Sequence, residues 1–204
     1  MIRATYIDHM GSDLSVVNAA RVSFGKNHKE MQAGDTKLIK YLAKHKHISP
    51  FGHCFASFHV KAPIFVARQL VKHKFLRWNE ISRRYVDDEP EFYEPDVWRG
   101  RSEDKKQGSE GVVDVGDWGD PNWACLTAYN DLLQHGVAPE QARMVLPQST
   151  MTEWYWSGSL DAFSDMCHLR LKADTQYETR LVATSIDSSM KDLFPISWRA
   201  LTNE

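Results

Sequence analysis

Residues 68–85 concentrate side chains suited to anion chemistry. Six cations (Arg68, Lys72, Lys74, Arg77, Arg83, Arg84) stand with a single carboxylate, Glu80, and with Gln69, His73, Asn79 and Ser82 among them. Arginine forks match phosphate oxygens, and hydroxyl and amide groups add neutral donors. The whole chain carries a formal net charge of −2, so this cluster needs a local cause. A basic run is commonly no more than a solvated face. Here donors and acceptors are interleaved closely enough to serve a nucleotide with a phosphate, a sugar hydroxyl and a base edge. Arg143 and Arg170 sit in apolar settings, Gln-Ala-Arg-Met-Val-Leu-Pro and His-Leu-Arg-Leu. Arginine is rarely buried unpaired. Arg143 is therefore expected to face the core, either in a salt bridge to Glu140 or another helix, or against a ligand. An arginine in such a setting can also stabilise negative charge developing on a substrate.

Other constellations carry less. His47, His53 and His59 are evenly spaced, but no nearby Asp or Glu completes a ligand set, so no metal site is expected. His59 reads as structural, whereas His47, beside Ser49, is placed to bind a ligand. No GxSxG, Walker A or GxGxxG pattern occurs. Cys54, Cys125 and Cys167 lie far apart in apolar contexts without CxxC spacing. They read as inert reduced thiols rather than a disulfide framework or zinc ribbon.

The elements that must position these residues follow from periodicity. A chain of 204 residues with 42% hydrophobic and 25% charged residues is expected to form one domain, residues 1–204. A first strand is predicted at 1–8. Ser12 and Asp13 open a helix bearing Leu14, Val17, Ala20 and Val22. A second helix starts at Asp35, with Leu38, Ile39 and Leu42 on one face, and ends in Lys44-His45-Lys46-His47. Pro50 and Gly52 demand a loop. Alternation predicts a strand over 54–61. Pro63 opens a helix through Val71, on which Gln69 and Lys72 share a face, so the basic segment straddles a helix end and the following loop.

Residues 87–120 are acidic, Gly-rich and weakly patterned, and read as a long mobile loop. Helices are predicted at 121–135, 139–145, 159–169 and 174–192, with a strand at 148–157. Trp154, Tyr155 and Trp156 are assigned to the core or a subunit interface. A sequence pI near 6.5 argues against a general nucleic-acid binder. No run suits a membrane span or signal peptide, so a cytoplasmic protein is expected.

The basic segment resembles the signature of flavin-dependent thymidylate synthases, Arg-His-Arg followed seven residues later by Ser. It stands here as Lys72-His73-Lys74 and Ser82, with Asn79-Glu80 and Arg84-Tyr85 also in agreement. The run from 58 to 69, Asn18-Ala19-Ala20-Arg21-Val22-Ser23-Phe24, the 47–53 loop and Ala142-Arg143-Met144-Val145-Leu146-Pro147 look similar too, so the resemblance covers roughly residues 11–190. It implies a mixed α/β (α+β) fold, a central antiparallel sheet flanked by helices, and a homotetramer with shared active sites. It implies reductive methylation of dUMP, with 5,10-methylenetetrahydrofolate giving the carbon, FAD carrying the hydride and NADPH reducing the flavin. Gln69, Lys72, Glu80, Ser82, Arg83, Arg84, Arg143 and Arg170 would hold the nucleotide, with Arg170 as the catalytic cation that polarises the pyrimidine. His47, Ser49, Lys72, His73, Lys74, Glu80, Ser159, Asp161 and Asp165 would hold the flavin or folate.

Several positions depart from the family pattern. Lysine at 72 and 74 keeps charge but loses bidentate donation. Ser159-Leu160-Asp161 stands where Asn-x-Arg is usual, Asp165 replaces an asparagine, and Asp174 falls where histidine is common. New carboxylates beside a diphosphate should weaken its binding. An alternative reaction keeps dUMP and folate without flavin, capturing the methylene adduct with water to give a 5-hydroxymethyl nucleotide. An oligonucleotide-binding module and an inactive dUMP-binding relative are the non-catalytic readings. The 87–120 segment is either a lid over folate or a surface insertion.

Overall fold

The computed structural model of this chain describes residues 1–103 and 108–203. Strands run at β1 (Arg3–Met10), β2 (Phe55–Pro63), β3 (Leu76–Glu80), β4 (Arg99–Arg101), β5 (Ser109–Val112) and β6 (Met151–Ser159). Helices occupy α1 (Asp13–Arg21), α2 (Asp35–Lys44), α3 (Ile64–Leu70), α4 (Pro121–Gln134), α5 (Pro139–Ala142), α6 (Leu160–Arg170), α7 (Tyr177–Leu193) and α8 (Ser197–Thr202). The main sheet is antiparallel throughout, in the order β1-β2-β6-β3. This is the mixed fold with a central antiparallel sheet that the sequence led us to expect.

The period-two alternation of β2 explains its placement. Ala56, Phe58, Val60 and Ala62 are buried on one face, joined there by Trp154 and Trp156 of β6. Against them pack Phe163 and Met166 of α6 and Val182, Ala183 and Ile186 of α7, in one core cluster. Removing this apolar surface from water is the main driving force, about 25 cal/mol per Å². On the other face, Ser57 and Ser157 share a hydroxyl bond at 2.8 Å, and His59 pairs with Glu153 at 2.9 Å. His59 is thus held on the sheet surface by its contact with the Glu153 carboxylate. Tyr155 also points away from the core and is exposed, whereas Trp154 and Trp156 are core residues.

The structure corrects several expectations. The basic segment is not a helix end followed by loop alone, because Leu76–Glu80 adds to the sheet as an edge strand. Gly158 permits this. A Cβ there would stand 2.4 Å from the Leu76 side chain and 3.2 Å from the Phe75 carbonyl oxygen. The turn into β3 is tight enough to hold Phe75 at φ 65, in the left-handed region. Helix α3 ends at Leu70, so Lys72 lies in the turn beyond it and does not share a helical face with Gln69.

Ser49–His53 forms a turn of 3-10 helix rather than a plain loop, and α8 was not anticipated. The N-terminus of α8 is tied to α1, because Asp13 accepts from the backbone N–H groups of Ile196 and Ser197 at 3.0 and 2.8 Å. Nor is 87–120 structureless. Phe92 bridges to Thr150, and β4 pairs antiparallel with β5. Positions 104–107 of that segment lie outside the described residues.

Candidate active site

A cavity of about 780 Å³ opens where the C-terminal ends of α3 and α6 meet the start of α7 and the β4–β5 ribbon. Gln69, Leu169, Arg170, Asp174 and Gln176 line it from the helical side; Phe65, Tyr93, Trp98 and Arg99 wall the rest. Of the residues singled out for the nucleotide, only Gln69 and Arg170 reach it, with Asp174 beside them.

Arg170 ends α6 and is half-buried. Its Nε donates to His73 Nε2 at 2.9 Å, and an Nη2 hydrogen is donated to the Gln69 backbone carbonyl at 3.3 Å. Both acceptors are neutral, and among the described residues no carboxylate pairs with this guanidinium. Burial draws its pKa below the usual arginine value. The same burial, and then the Arg170 charge, lower His73 to about 4, so the ring is neutral near pH 7. The bond to Arg170 requires a lone pair on Nε2, which puts the ring proton on Nδ1. Beside this pair, Gln69 Nε2 donates to the side-chain Oε1 of Gln176, and Gln69 Oε1 accepts from Thr179 Oγ1 at 3.2 Å.

The opposite wall is built differently. Glu178 is buried, accepts from Arg99, and accepts from the Tyr93 hydroxyl at 3.2 Å. Arg99 also lies over the Tyr177 ring at 4.3 Å and donates through Nε to Ser109 at 3.1 Å. Burial and the neighbouring Glu178 charge push Tyr93 up to about 12. Gly108 completes the fit with φ 89, where a Cβ would come within 2.6 Å of the Asp174 carbonyl oxygen. None of Tyr93, Arg99 or Glu178 was anticipated. A signal existed only for Glu178, a carboxylate on the helical stripe that continues through Val182 and Ile186.

The remaining predicted residues lie elsewhere on this chain. Glu80, at the end of β3, accepts from Thr152 Oγ1 at 2.6 Å and Trp78 Nε1 at 3.0 Å. Ser82 accepts from Arg84, and Arg83 donates to the Asp88 carbonyl. Lys72 and Lys74 are exposed, without a carboxylate partner among the described residues. Arg143 does not face the core. It is exposed and donates to the Glu140 backbone carbonyl at 3.2 Å, so neither the buried setting nor the salt bridge to the Glu140 carboxylate is found.

A second group gathers at the N-terminus of α6, about 15 Å from Arg170 along an eleven-residue helix. Ser159 is the N-cap, Asp161 lies in the first turn and Asp165 is exposed one turn on. Asp161 Oδ1 is buried without a hydrogen-bond partner, and a Cβ on Gly52 of the Ser49–His53 turn would come within 3.9 Å of it. Leu76 pairs with Gly158 just ahead of this helix start, while His73 of the preceding Lys72-His73-Lys74 turn contacts Arg170 at the other end of α6. His47 is exposed and stacks on Tyr41 with centroids 6.1 Å apart.

Cys54 and Cys167 are buried, and burial pushes both upward, Cys54 to about 11. Among the described residues no cluster of His, Cys, Asp or Glu could hold a metal ion, and no helix is long and apolar enough to cross a membrane.

Residues 5–196 match the family described as thymidylate synthase complementing protein. The chain belongs to the flavin-dependent thymidylate synthase family. The flavin-dependent thymidylate synthase of a Thermus thermophilus strain is 42% identical over 202 residues, spanning 95% of this chain and 73% of that relative. That of Kosmotoga olearia is 38% identical over 205 residues, 97% of this chain and 88% of the relative. Among solved structures, a UMP/dUMP methylase, PolB from Streptomyces cacaoi bound with 5-Br dUMP, superposes with a TM-score of 0.90 at 32% identity, covering 100% of this chain and 95% of that one. Membership of this family places the protein among methyltransferases.

Proposed function

We propose that this enzyme carries out the reductive methylation of dUMP to dTMP, with 5,10-methylenetetrahydrofolate as carbon donor and NADPH as reductant. The observation that carries the reading is the Arg170 guanidinium, held at the cavity wall by neutral acceptors so that its charge stays available to a ligand. Set against a pyrimidine carbonyl, that charge stabilises the anion formed as N3 gives up its proton. Electron density then rises at C5, the carbon that must attack the methylene group. Gln69 and Gln176 offer amide groups for the base edge or sugar. A cavity of about 780 Å³ exceeds what one nucleotide needs and leaves room for a second planar ring against Phe65, Tyr93 and Trp98. The name of the Streptomyces relative, a methylase of UMP and dUMP, supports a pyrimidine nucleotide here.

The motif turn and the start of α6 both offer groups suited to a flavin dinucleotide. Lys72 and Lys74 are exposed cations able to meet a diphosphate, and the partnerless Asp161 Oδ1 calls for a hydroxyl or amine donor, which a ribityl chain or adenine provides. When bound, FAD supplies the hydride that completes the methyl group. Ser159 and Ser49 add hydroxyls at the same end, and Asp165 leaves that end more acidic than a diphosphate site prefers. The distance along α6 between the two groups supports a homotetramer, in which the flavin-binding end of one protomer completes the nucleotide cavity of another. Glu80, Ser82, Arg84 and Arg143 would then act across that interface.

The deciding experiment is the mass of the nucleotide product from dUMP and methylenetetrahydrofolate, with and without FAD plus NADPH. A methyl product that needs both supports thymidylate synthesis. A 5-hydroxymethyl product formed without them replaces this reading by a hydration of the methylene adduct.

A further inference from the structure

We infer that His73 is a positioning residue for Arg170: its neutral imidazole fixes the guanidinium by accepting the Nε hydrogen, and so aims the cation without cancelling it. This rests on the proposed role of Arg170 against a pyrimidine. An arginine that must stabilise a transient anion faces two opposed needs. It must be held still, because a mobile cation loses much of its effect in reorganisation. It must also keep its charge, and the usual means of holding an arginine, a carboxylate, neutralises it. Arg99 on the facing wall shows that second outcome with Glu178. Arg170 has instead a ring nitrogen at 2.9 Å and a backbone carbonyl at 3.3 Å.

The holder is itself held. The His73 backbone N–H donates to the Leu70 carbonyl at 3.1 Å, extending α3 into the motif turn, and the residue is half-buried there. Gln69, whose carbonyl takes the second bond, belongs to the last turn of the same helix. One short helix end therefore supplies both acceptors. The dipole of that end, negative at its C-terminus, adds a modest attraction with no formal counter-charge. The remaining guanidinium hydrogens stay at the cavity wall. A protonated His73 would turn acceptor into donor and repel Arg170, and the low proton affinity of the ring guards against this near neutral pH.

The test uses 5-bromo-dUMP with the full-length enzyme loaded with FAD. Ionisation of the ring N3 changes its ultraviolet spectrum, so the apparent N3 pKa of bound nucleotide reports the cation directly. Arg170→Ala should raise that pKa. His73→Leu, which removes the acceptor at similar bulk, should raise it too, with the bound anion fraction falling about tenfold at fixed pH. His73→Gln, whose carbonyl can accept from Nε, should recover most of the shift. Adding His73→Leu to Arg170→Ala should change nothing further, as expected when one residue acts through the other. Flavin content, read from visible absorbance, should stay at the wild-type level in the His73 variants that keep their thermal midpoint.

Equal and additive shifts in the two backgrounds overturn the inference, as does a His73→Gln protein no better than His73→Leu. Loss of flavin with an unchanged N3 pKa also overturns it, assigning His73 to the cofactor instead. A wild-type enzyme that does not bind 5-bromo-dUMP sinks the nucleotide reading itself, and this inference with it.

Discussion

Two arginines line opposite walls of one cavity, and the partners that hold them differ in charge. Arg170 is held by an imidazole and a carbonyl, whereas Arg99 is held by a buried carboxylate that a phenol also contacts. The first arrangement leaves a cation with its field intact. The second makes a neutral cross-link between α7 and the β4 strand. The same side chain is thus held without a counter-charge at one wall and with one at the other.

The comparison breaks first at Arg170. Its replacement by alanine should cut kcat about a thousandfold, roughly 4 kcal/mol of barrier, with a thermal midpoint near wild type, since no buried carboxylate is orphaned. Steady-state assays beside thermal melts check both halves. A stability loss that matched or exceeded the catalytic one would put Arg170 on the architectural side.

Glu178→Gln should do the reverse. It leaves the part-buried Arg99 without its counter-charge, costing about 3 kcal/mol of stability, read from urea or thermal unfolding. A variant as stable as wild type would mean that the cross-link contributes little. Gly108→Ala probes the same wall through its backbone. With φ 89 and a carbonyl oxygen 2.6 Å from the added carbon, it should cost about 1–2 kcal/mol and loosen the ribbon.

Acid should separate the walls as well. His73 titrates near 4 in the fold against 6.5 in an unfolded chain, so stability is full above pH 6.5 and falls as pH drops toward 4, because only the unfolded chain gains that proton. His73→Gln should flatten this part of a midpoint-versus-pH curve; an unchanged slope would place the titration elsewhere. Smallest is Phe75→Gly, which removes a left-handed non-glycine residue at an exposed turn and should shift stability by no more than about 1 kcal/mol.

The sheet faces and helices were legible because their signal is local. Alternation in β2 and the apolar spacing of α2 and α7 depend on neighbours a few positions away. The edge strand β3 was not legible in the same sense. Its residues read as a polar loop, and what admits them to the sheet is the missing side chain of Gly158, some eighty positions on. Arg143 misled for the opposite reason. Its apolar neighbours suggested a core, yet Met144 is 79% exposed. The family resemblance assigned His73 to the flavin and Gln69 and Arg170 to the nucleotide, but nothing in the sequence indicated that His73 and Arg170 touch. Arg99 and Glu178 pair across a similar gap, with no sequence pattern linking them.

The main sheet also dictates an order of events. Its inner strands, β2 and β6, are joined by a stretch of about ninety residues, and β6 is the common neighbour of β2 and β3. Of the main sheet, the first half of the chain can pair β1 with β2 but lacks β6, the neighbour that β2 and β3 share. The stripe of Phe58 and Val60 must wait, uncovered, until the Trp154 strand and the two long C-terminal helices leave the ribosome. Closing so long a loop is entropically slow, so the assembly of this enzyme should be gated by its last quarter, and a chain arrested before that point should be prone to aggregate.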